Sequence, residues 1–257
     1  MLSTAIDSIG IGGKTIVRSV EFDAMPGEVT VIIGPNGSGK STLLKALSGE
    51  LPFAGTVRIN GRDSRAMKPW ETASQRAVLP QHATLSFPFT VREVVALGLS
   101  GGRSGVSMGA RETLPERALE RVDLAGFSGR YYGDLSGGEQ QRVQLARVLC
   151  QVWQPVLDGL PRYLLLDEPV SSLDVKHQIL VMKIAREFAD AGGGVVAILH
   201  DLNLAARFAD RILAMRGGTA AGFGAPDDVL TDDRMTDVFD CPIRFHRDDA
   251  GLFVRLG

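Results

Sequence analysis

Gly34-Pro35-Asn36-Gly37-Ser38-Gly39-Lys40-Ser41-Thr42 is the stretch around which the rest of the chain is organised. Two glycines bracket four residues and Lys-Ser follows, which is the phosphate-loop pattern. Before it, Val29-Thr30-Val31-Ile32-Ile33 is an apolar, β-branched run that predicts a buried strand. After it, Leu43, Leu44 and Leu47 fall on one helical face, and Gly49 stands where that helix would be capped. A strand, a glycine loop and a helix in that order make an anion site. The glycines let backbone N–H groups converge, and the helix N-terminus adds its dipole. In such a loop Lys40 reaches the β- and γ-phosphates and the Ser41 hydroxyl binds Mg²⁺. Gly34, Pro35, Asn36, Gly37, Ser38, Gly39 and Thr42 complete the cradle. The plain alternative is a glycine turn between a strand and a helix, and the full motif with both flanks in place weighs against it.

The 257 residues suffice for one large domain or two small ones, and a hydrophobic fraction of 44% against 23% charged is enough for a sizeable core. Lys and Arg total 28 and Asp and Glu total 30, a formal net charge of −2, so nothing points to bulk affinity for nucleic acid. Cys150 and Cys241 stand far apart and make neither a disulfide framework nor a metal knuckle, which fits a reducing compartment. Residues 1–14 lack the basic-then-apolar order of a secretory leader, and no apolar run approaches the ~18 residues of a membrane span. The expectation is a soluble chain that a partner would have to hold at any membrane it serves.

Outward from the loop, residues 1–28 read as short strands around a Gly12-Gly13 turn, and residues 56–59 as a strand before the hairpin signal Asn60-Gly61. Val78 and Leu79 close a third apolar stretch at Pro80, with Gln81-His82 next. Thr90 and Glu93 form a capping box for a helix carrying Val91, Val94, Val95 and Leu97. Residues 101–109 are rich in glycine and serine and predict a mobile loop; residues 114–124 predict a helix. About residues 86–160 thus form a helical insertion in an α/β chain. Tyr163-Leu164-Leu165-Leu166-Asp167 restores a buried strand, and residues 175–189 make an amphipathic helix stopped by Gly192-Gly193-Gly194. Residues 195–199 predict a strand ending at His200, and residues 212–215 and 220–223 short strands around Arg216-Gly217-Gly218. The tail, about 240–257, reads as a hairpin turning near Asp249-Ala250-Gly251.

Further residues carry chemistry. Asp167 ends its strand where a carboxylate can hold Mg²⁺ opposite Ser41, and Glu168 follows at the edge where ligands sit in parallel sheets. A second carboxylate there is placed to polarise a water; without the loop upstream, the two acids would read as a solvated turn. In Leu135-Ser136-Gly137-Gly138-Glu139-Gln140-Gln141-Arg142, Ser136 and Glu139 make a capping box at a second glycine-rich helix start, an ordinary cap or a second phosphate contact. His200, at a strand end like Asp167, reads as a structural side chain or as one that senses a γ-phosphate. Gln81 is a neutral ligand for a metal or a water.

Together these segments are similar to the ATP-binding subunit of ABC transporters over nearly the whole chain. In order, the matching pieces are the phosphate loop at 34–42, Gln81 as the Q-loop glutamine, and Leu135-Ser136-Gly137-Gly138-Glu139 as the signature. Then come the Walker B strand ending at Asp167 with Glu168, Ser171-Ser172-Leu173-Asp174 as the D-loop, and the switch histidine His200. The resemblance implies one P-loop NTPase domain of ABC type over residues 1–257, with an antiparallel β subdomain and a helical subdomain. It implies ATP and Mg²⁺, with Ser41, Gln81 and Asp167 toward the metal and Glu168, His200 and Gln81 as catalytic residues. It implies a head-to-tail homodimer in which Ser136, Gly137, Gly138, Glu139 and Asp174 face the nucleotide of the other copy. Residues 87–98 resemble importers of iron chelates, heme and cobalamin. The long stretch 150–162, leading into Pro161-Arg162-Tyr163, is similar to that of hemin-import ATPases. The implied setting is the cytoplasmic face of the inner membrane, with polytopic permease subunits, a heme-binding protein acting indirectly, and no nucleic acid. A siderophore or cobalamin importer, and more distantly an ABC ATPase acting on DNA or the ribosome or a regulatory module without turnover, are the competing readings. The coiled-coil insertion and the second cassette of the DNA and ribosome relatives are missing. Two residues depart from the pattern: Val170 where many relatives have threonine, and Ile11 where many place an aromatic under the adenine.

Overall fold

The computed structural model describes residues 1–81, 87–101, 103–248 and 251–255. β1 (Leu2–Ile11) and β2 (Lys14–Ala24) form a hairpin through Gly12 and Gly13, whose φ angles of 57° and 80° suit a residue without Cβ. Both strands are longer than predicted. Their apolar residues alternate against one core along almost their whole length, so the pairing continues away from the turn. β3 (Val29–Ile33) is buried at every residue. α1 (Lys40–Leu47) follows the phosphate loop and is closed by Gly49, φ 78°, whose N–H donates to Ala46. β4 (Ala54–Ile59) turns through Asn60 and Gly61, both at positive φ, into the two-residue β5 (Arg62–Asp63). α2 (Pro69–Gln75) and β6 (Arg76–Leu79) complete this half.

The helical part contains α3 (Val91–Ala96), α4 (Gly98–Gly101), α5 (Met108–Arg111), α6 (Leu114–Arg121) and α7 (Gly137–Gln151). At α3 the capping box forms: Thr90 N–H donates to Glu93 Oε2 at 2.7 Å, and Glu93 N–H to Thr90 Oγ1 at 3.3 Å. Val91, Val94 and Val95 are buried, but Leu97 is 43% exposed. The chain breaks direction there into α4, whose Gly98 lies so close to α7 that a Cβ would sit 2.1 Å from the Arg147 carbonyl oxygen. α6 stops before residue 124 because Asp123 takes a φ of 59°. The expected mobile loop at 101–109 is instead partly helical from Met108 and partly pinned. Ser104 is buried, and its carbonyl accepts from Gln154 N–H at 3.2 Å and from the Arg162 guanidinium at 3.1 Å. His82, Ser86, Gly102, Asp249 and Ala250 lie outside the described residues, and with them the second half of Gln81-His82 and the tip of the tail hairpin.

The stretch 150–162 folds into a small hairpin, β7 (Val156–Leu157) and β8 (Leu160–Pro161), turning through Asp158 and Gly159. Arg162 behind it is buried and fastened to the carbonyls of Arg103, Ser104 and Gln151; burial pulls its guanidinium down to about 10. β9 (Tyr163–Asp167), α8 (Val175–Asp190) and β10 (Gly194–Ile198) come next, with Gly192 at φ 91° ending α8 as expected. α9 (Leu202–Phe208), β11 (Arg211–Arg216), β12 (Thr219–Gly224), α10 (Pro226–Val229) and α11 (Asp232–Phe239) follow. β13 (Arg244–Asp248) and β14 (Gly251–Arg255) pair antiparallel, and Val254 N–H donates to Asn203 Oδ1 of α9 at 2.7 Å.

The strands make a four-stranded antiparallel sheet, β2-β1-β4-β5, and a six-stranded sheet, β12-β11-β3-β10-β9-β6, parallel except for β12. The parallel sheet is covered on both faces, so its strands read as unbroken apolar runs. Val31, Leu164, Leu166, Val195 and Ala197 face one core, shared with α3, α6, α7 and α8. Ile32, Tyr163, Leu165, Val196 and Ile198 face the other, shared with α1 and the antiparallel sheet. The carboxyl ends of β3, β6, β9 and β10 therefore open together along one edge, where residues 34, 80, 168 and 199 begin.

Candidate active site

Residues 34–39 join β3 to α1, and at Gly34 and Gly39 a Cβ has no room. Gly34 has a φ of 146°, and a Cβ there would lie 2.2 Å from the Met215 carbonyl oxygen; Gly39 has a φ of 96°, and its Cβ would meet Val17 at 2.9 Å. Gly39 is the N-cap of α1, and no side chain caps that helix. The first-turn N–H groups of a helix have no intrahelical acceptors, so this start presents donors and the positive end of a dipole. Lys40 is only 5% exposed, and its Nζ donates to the carbonyls of Gly34 at 2.8 Å and Pro35 at 2.9 Å. Burial lowers its ammonium below the usual lysine range, while Glu168 and Asp167 nearby oppose that. Ser38 Oγ is buried without a partner among the described residues, a hydroxyl aimed into the loop with its hydrogen-bonding capacity unspent.

Asp167 and Ser41 face each other, with Ser41 Oγ donating to Asp167 Oδ1 at 3.1 Å. Burial raises the Asp167 carboxyl above its ordinary range, the Ser41 hydroxyl lowers it, and Glu168 raises it further. A hydroxyl and a carboxylate at this spacing are hard oxygen donors of the kind Mg²⁺ takes, and a desolvated carboxylate gains from a cation. The residues present fit a bound Mg-nucleotide.

Glu168 is the residue on which the edge converges. Its φ of 51° lies in the left-handed region, rare for a residue with a side chain and a mark of local strain. Gln81 Nε2 donates to Glu168 Oε2 at 2.8 Å, and His200 Nε2 lies 2.7 Å from Glu168 Oε1. Three segments, after β6, β9 and β10, thus meet at one carboxylate, beside the pair formed by Ser41 and Asp167. Such a constellation can bind an anion at the loop and orient a carboxylate toward a water next to it.

Ser136, Gly137, Gly138 and Glu139 stand apart from this cluster. They open α7, and no hydrogen bond joins them to residues 34–42 among the described residues. Ser136 N–H and Oγ both donate to Glu139 Oε2, at 2.8 and 2.6 Å, and this holds the Glu139 carboxyl below the ordinary range. Asp174 is the N-cap of α8; its carboxylate accepts His177 N–H at 2.9 Å and lies 2.8 Å from His177 Nδ1. That backbone bond comes first among the causes that lower the Asp174 carboxyl. Val170 is buried in the core. Ile11 ends β1 and is 47% exposed.

Sequence reasoning passed over two arrangements. Gln141, quoted only as part of the second helix start, donates through Nε2 to the Glu168 carbonyl at 2.9 Å. His177 joins Asp174 to Asp123, whose carboxylate also pairs with Lys176 at 2.7 Å. Nothing local singles out the half-buried Gln141 among the several amides of its helix, and the second depends on the left-handed turn at Asp123, which nothing local announces.

Residues 17–171 match the ABC transporter family. The chain is 66% identical over 237 residues to the hemin import ATP-binding protein HmuV of Mesorhizobium japonicum, covering 92% of this chain and 90% of that one. It is 61% identical to the protein of that name from Chelativorans sp., over 92% of this chain and 90% of that one. Among solved structures, the dimeric bacterial ABC transporter cassette MJ0796 superposes with a TM-score of 0.74 at 26% identity, over 88% of this chain and 99% of that one. With the matched segment running from β2 through the phosphate loop to Ser171, more than half of the sequence, the chain belongs to the ABC transporter family.

Proposed function

We propose that this chain is the ATP-hydrolysing subunit of an importer that carries hemin across the cytoplasmic membrane, working as a homodimer on the membrane's inner face beneath polytopic permease subunits. The observation that carries the reading is the Glu168 carboxylate, held by Gln81 and His200 next to Ser41, Asp167 and the uncapped start of α1. The name shared by the relatives supports hemin as the cargo. No helix among the described residues is long and apolar enough to cross a membrane, so in this reading other subunits form the pathway.

In this assignment residues 34–42 bind the phosphates through backbone N–H groups, and Lys40 leaves the Gly34 and Pro35 carbonyls for the β- and γ-phosphate oxygens. Ser41 Oγ, the Gln81 amide oxygen and, through water, Asp167 would hold Mg²⁺, which supplies neutralisation of charge on the phosphates. Gln81 spends its nitrogen on Glu168, so its oxygen is the ligand atom. Glu168 takes the proton from the attacking water as general base; Gln81 fixes its rotamer, and His200, which holds it before nucleotide binds, turns to the γ-phosphate when that group is bound. Ser136, Gly137, Gly138, Glu139 and Asp174 close over the nucleotide of the second copy.

Glu168→Gln removes the basic oxygen and keeps the shape. It should lower hydrolysis by about 10²–10⁴-fold, the usual worth of a positioned base, with ATP affinity kept. Unhydrolysed Mg-ATP should then hold a dimer that size-exclusion chromatography resolves; a monomer with normal turnover overturns the reading. The cargo is tested in a bilayer with the permease and its binding protein. Heme-loaded binding protein should stimulate turnover, and stimulation by a siderophore- or cobalamin-loaded one in its place moves the assignment to that cargo.

A further inference from the structure

Glu168 is held from two directions, and the second is not part of the nucleotide site. Its carboxylate meets Gln81 and His200; its backbone carbonyl accepts three hydrogen bonds. Two of these, from Ser171 N–H at 3.3 Å and Ser171 Oγ at 3.2 Å, come from its own turn. The third and shortest, 2.9 Å, comes from Gln141 Nε2 on α7. A left-handed residue with a side chain stays in that conformation only where its surroundings hold it. Ser171 closes the turn and Gln178 of α8 reaches the neighbouring Val170 carbonyl at 3.4 Å, but among the described residues Gln141 is the donor that ties the Glu168 carbonyl itself to a different element.

We infer that Gln141 is a positioning residue that makes the aim of the Glu168 carboxylate depend on the placement of α7. Gln141 lies five residues after Ser136, about 7.5 Å along one continuous helix. α7 has 15 residues and a reciprocal cap, so a displacement of its first turn moves Gln141 with it. The Glu168 carbonyl follows, and with φ and ψ of that residue the direction of its side chain. This inference rests on the proposed function. There, Ser136 touches one ATP of the dimer and Glu168 serves the other, so the bond at Gln141 links the two sites through a single chain. A helix start with a direct hydrogen bond little more than one turn further on is a physical coupling path, not merely an intermediate position. The other half of the amide has no such task, since Gln141 Oε1 is buried without a partner among the described residues.

That orphaned oxygen makes a clean substitution possible. Gln141→Met keeps the length, removes the donor and leaves no new buried polar atom. In the full-length chain it should lower kcat about tenfold, as expected when a base is displaced rather than deleted, with ATP affinity by equilibrium titration within about twofold of wild type. The Hill coefficient for ATP is expected above one in the wild type and should fall toward one in Gln141→Met. Gln141→Lys restores an N–H donor and should recover most of kcat and of the cooperativity. Wild-type kcat and Hill coefficient in Gln141→Met overturn the inference, and so does a loss that Gln141→Lys shares in full or that appears equally in affinity and melting temperature. Should the methionine variant not fold, Gln141→Leu answers the same question. Glu168→Gln in the same assay separates the two ideas. If it turns over normally, the reading of the site fails and takes this inference with it. If it is inactive while Gln141→Met behaves as wild type, only the role of Gln141 fails.

Discussion

The chain has two glycine-rich helix starts, and they are opposites. α1 begins at a left-handed glycine with no side chain capping its first turn, and Lys40 is folded back onto the carbonyls of its own loop. α7 begins at Ser136 in extended geometry, φ −61° and ψ 157°, with the Ser136 N–H and hydroxyl already taken by Glu139. The first leaves its first-turn N–H groups uncapped, the arrangement an anion site requires. The second carries its own anion, and another gains Ser136 only by displacing the Glu139 carboxylate. Glycine at the first start supplies positive φ as well as close approach, whereas at α7 it supplies close approach alone. At α7 it is Gly138 that matters, since a Cβ there would lie 3.0 Å from the Ser172 carbonyl oxygen, whereas one at Gly137 meets nothing.

The largest effect that breaks this contrast is at the open start. Lys40→Ala deletes a buried cation and should weaken ATP binding about 100-fold, the loss of charge-assisted hydrogen bonds, as read by calorimetric titration. Unchanged affinity means that the loop is not the anion site. At the closed start the effect is smaller and of another kind. Ser136→Ala should leave ATP affinity of the single chain within about twofold, lower hydrolysis by about tenfold, and cost about 1 kcal/mol of stability as a lost N-cap. Its pH dependence sharpens the point. A carboxyl held below its unfolded range adds stability above that range and loses it as pH falls through the depressed value. The acid side of the wild-type stability curve should therefore carry a larger contribution from Glu139 than the Ser136→Ala curve, which keeps the backbone bond and loses the hydroxyl one, and urea melts from pH 6 down to pH 3 would compare them. Identical acid limbs would show that the hydroxyl bond contributes nothing. The smallest effect concerns Ile11. In the proposed function the open start grips phosphates and is blind to the base, so discrimination between ATP and GTP should be modest. Ile11→Tyr should tighten ATP by ~1 kcal/mol, the low end of base stacking on an aromatic ring. Strong selectivity in the wild type, unaltered by the substitution, would place the base elsewhere.

Much of this was legible because it is local. The strand before the loop, the glycines, both capping boxes and the Asn60-Gly61 turn each follow from a few consecutive residues. The buried strand ending in Asp167 was visible too, since a parallel sheet covered on both faces leaves an uninterrupted apolar run. What could not be read is what non-adjacent strand ends do to each other. Nothing near Gln81, Glu168 or His200 says that their side chains meet within hydrogen-bond distance; that depends on the strand order β3-β10-β9-β6. Gln141 was hidden for the same reason, and Arg162 because a buried arginine looks like any surface arginine until its three carbonyl partners are known. Residues 101–109 misled in the other direction. Their glycines and serines suggested freedom, whereas Arg162 from the next segment holds Ser104 in place.

The position of β3 also sets the order in which the molecule can come into being. Its two neighbours are β10 and β11, drawn from residues 194–216, and Asp210 Oδ2 accepts the N–H of Val29 at its first residue. Gly218 N–H donates to Ser38 within the loop itself. The residues that most plainly announce the fold are thus made early, yet their scaffold is made late. At about 5–20 residues per second of synthesis, the loop waits roughly 10–35 s for its flanking strands. Until then a strand of five buried residues has an unpaired backbone on both sides, so a nascent chain ending before β10 carries the motif without the site and needs shielding rather than nucleotide.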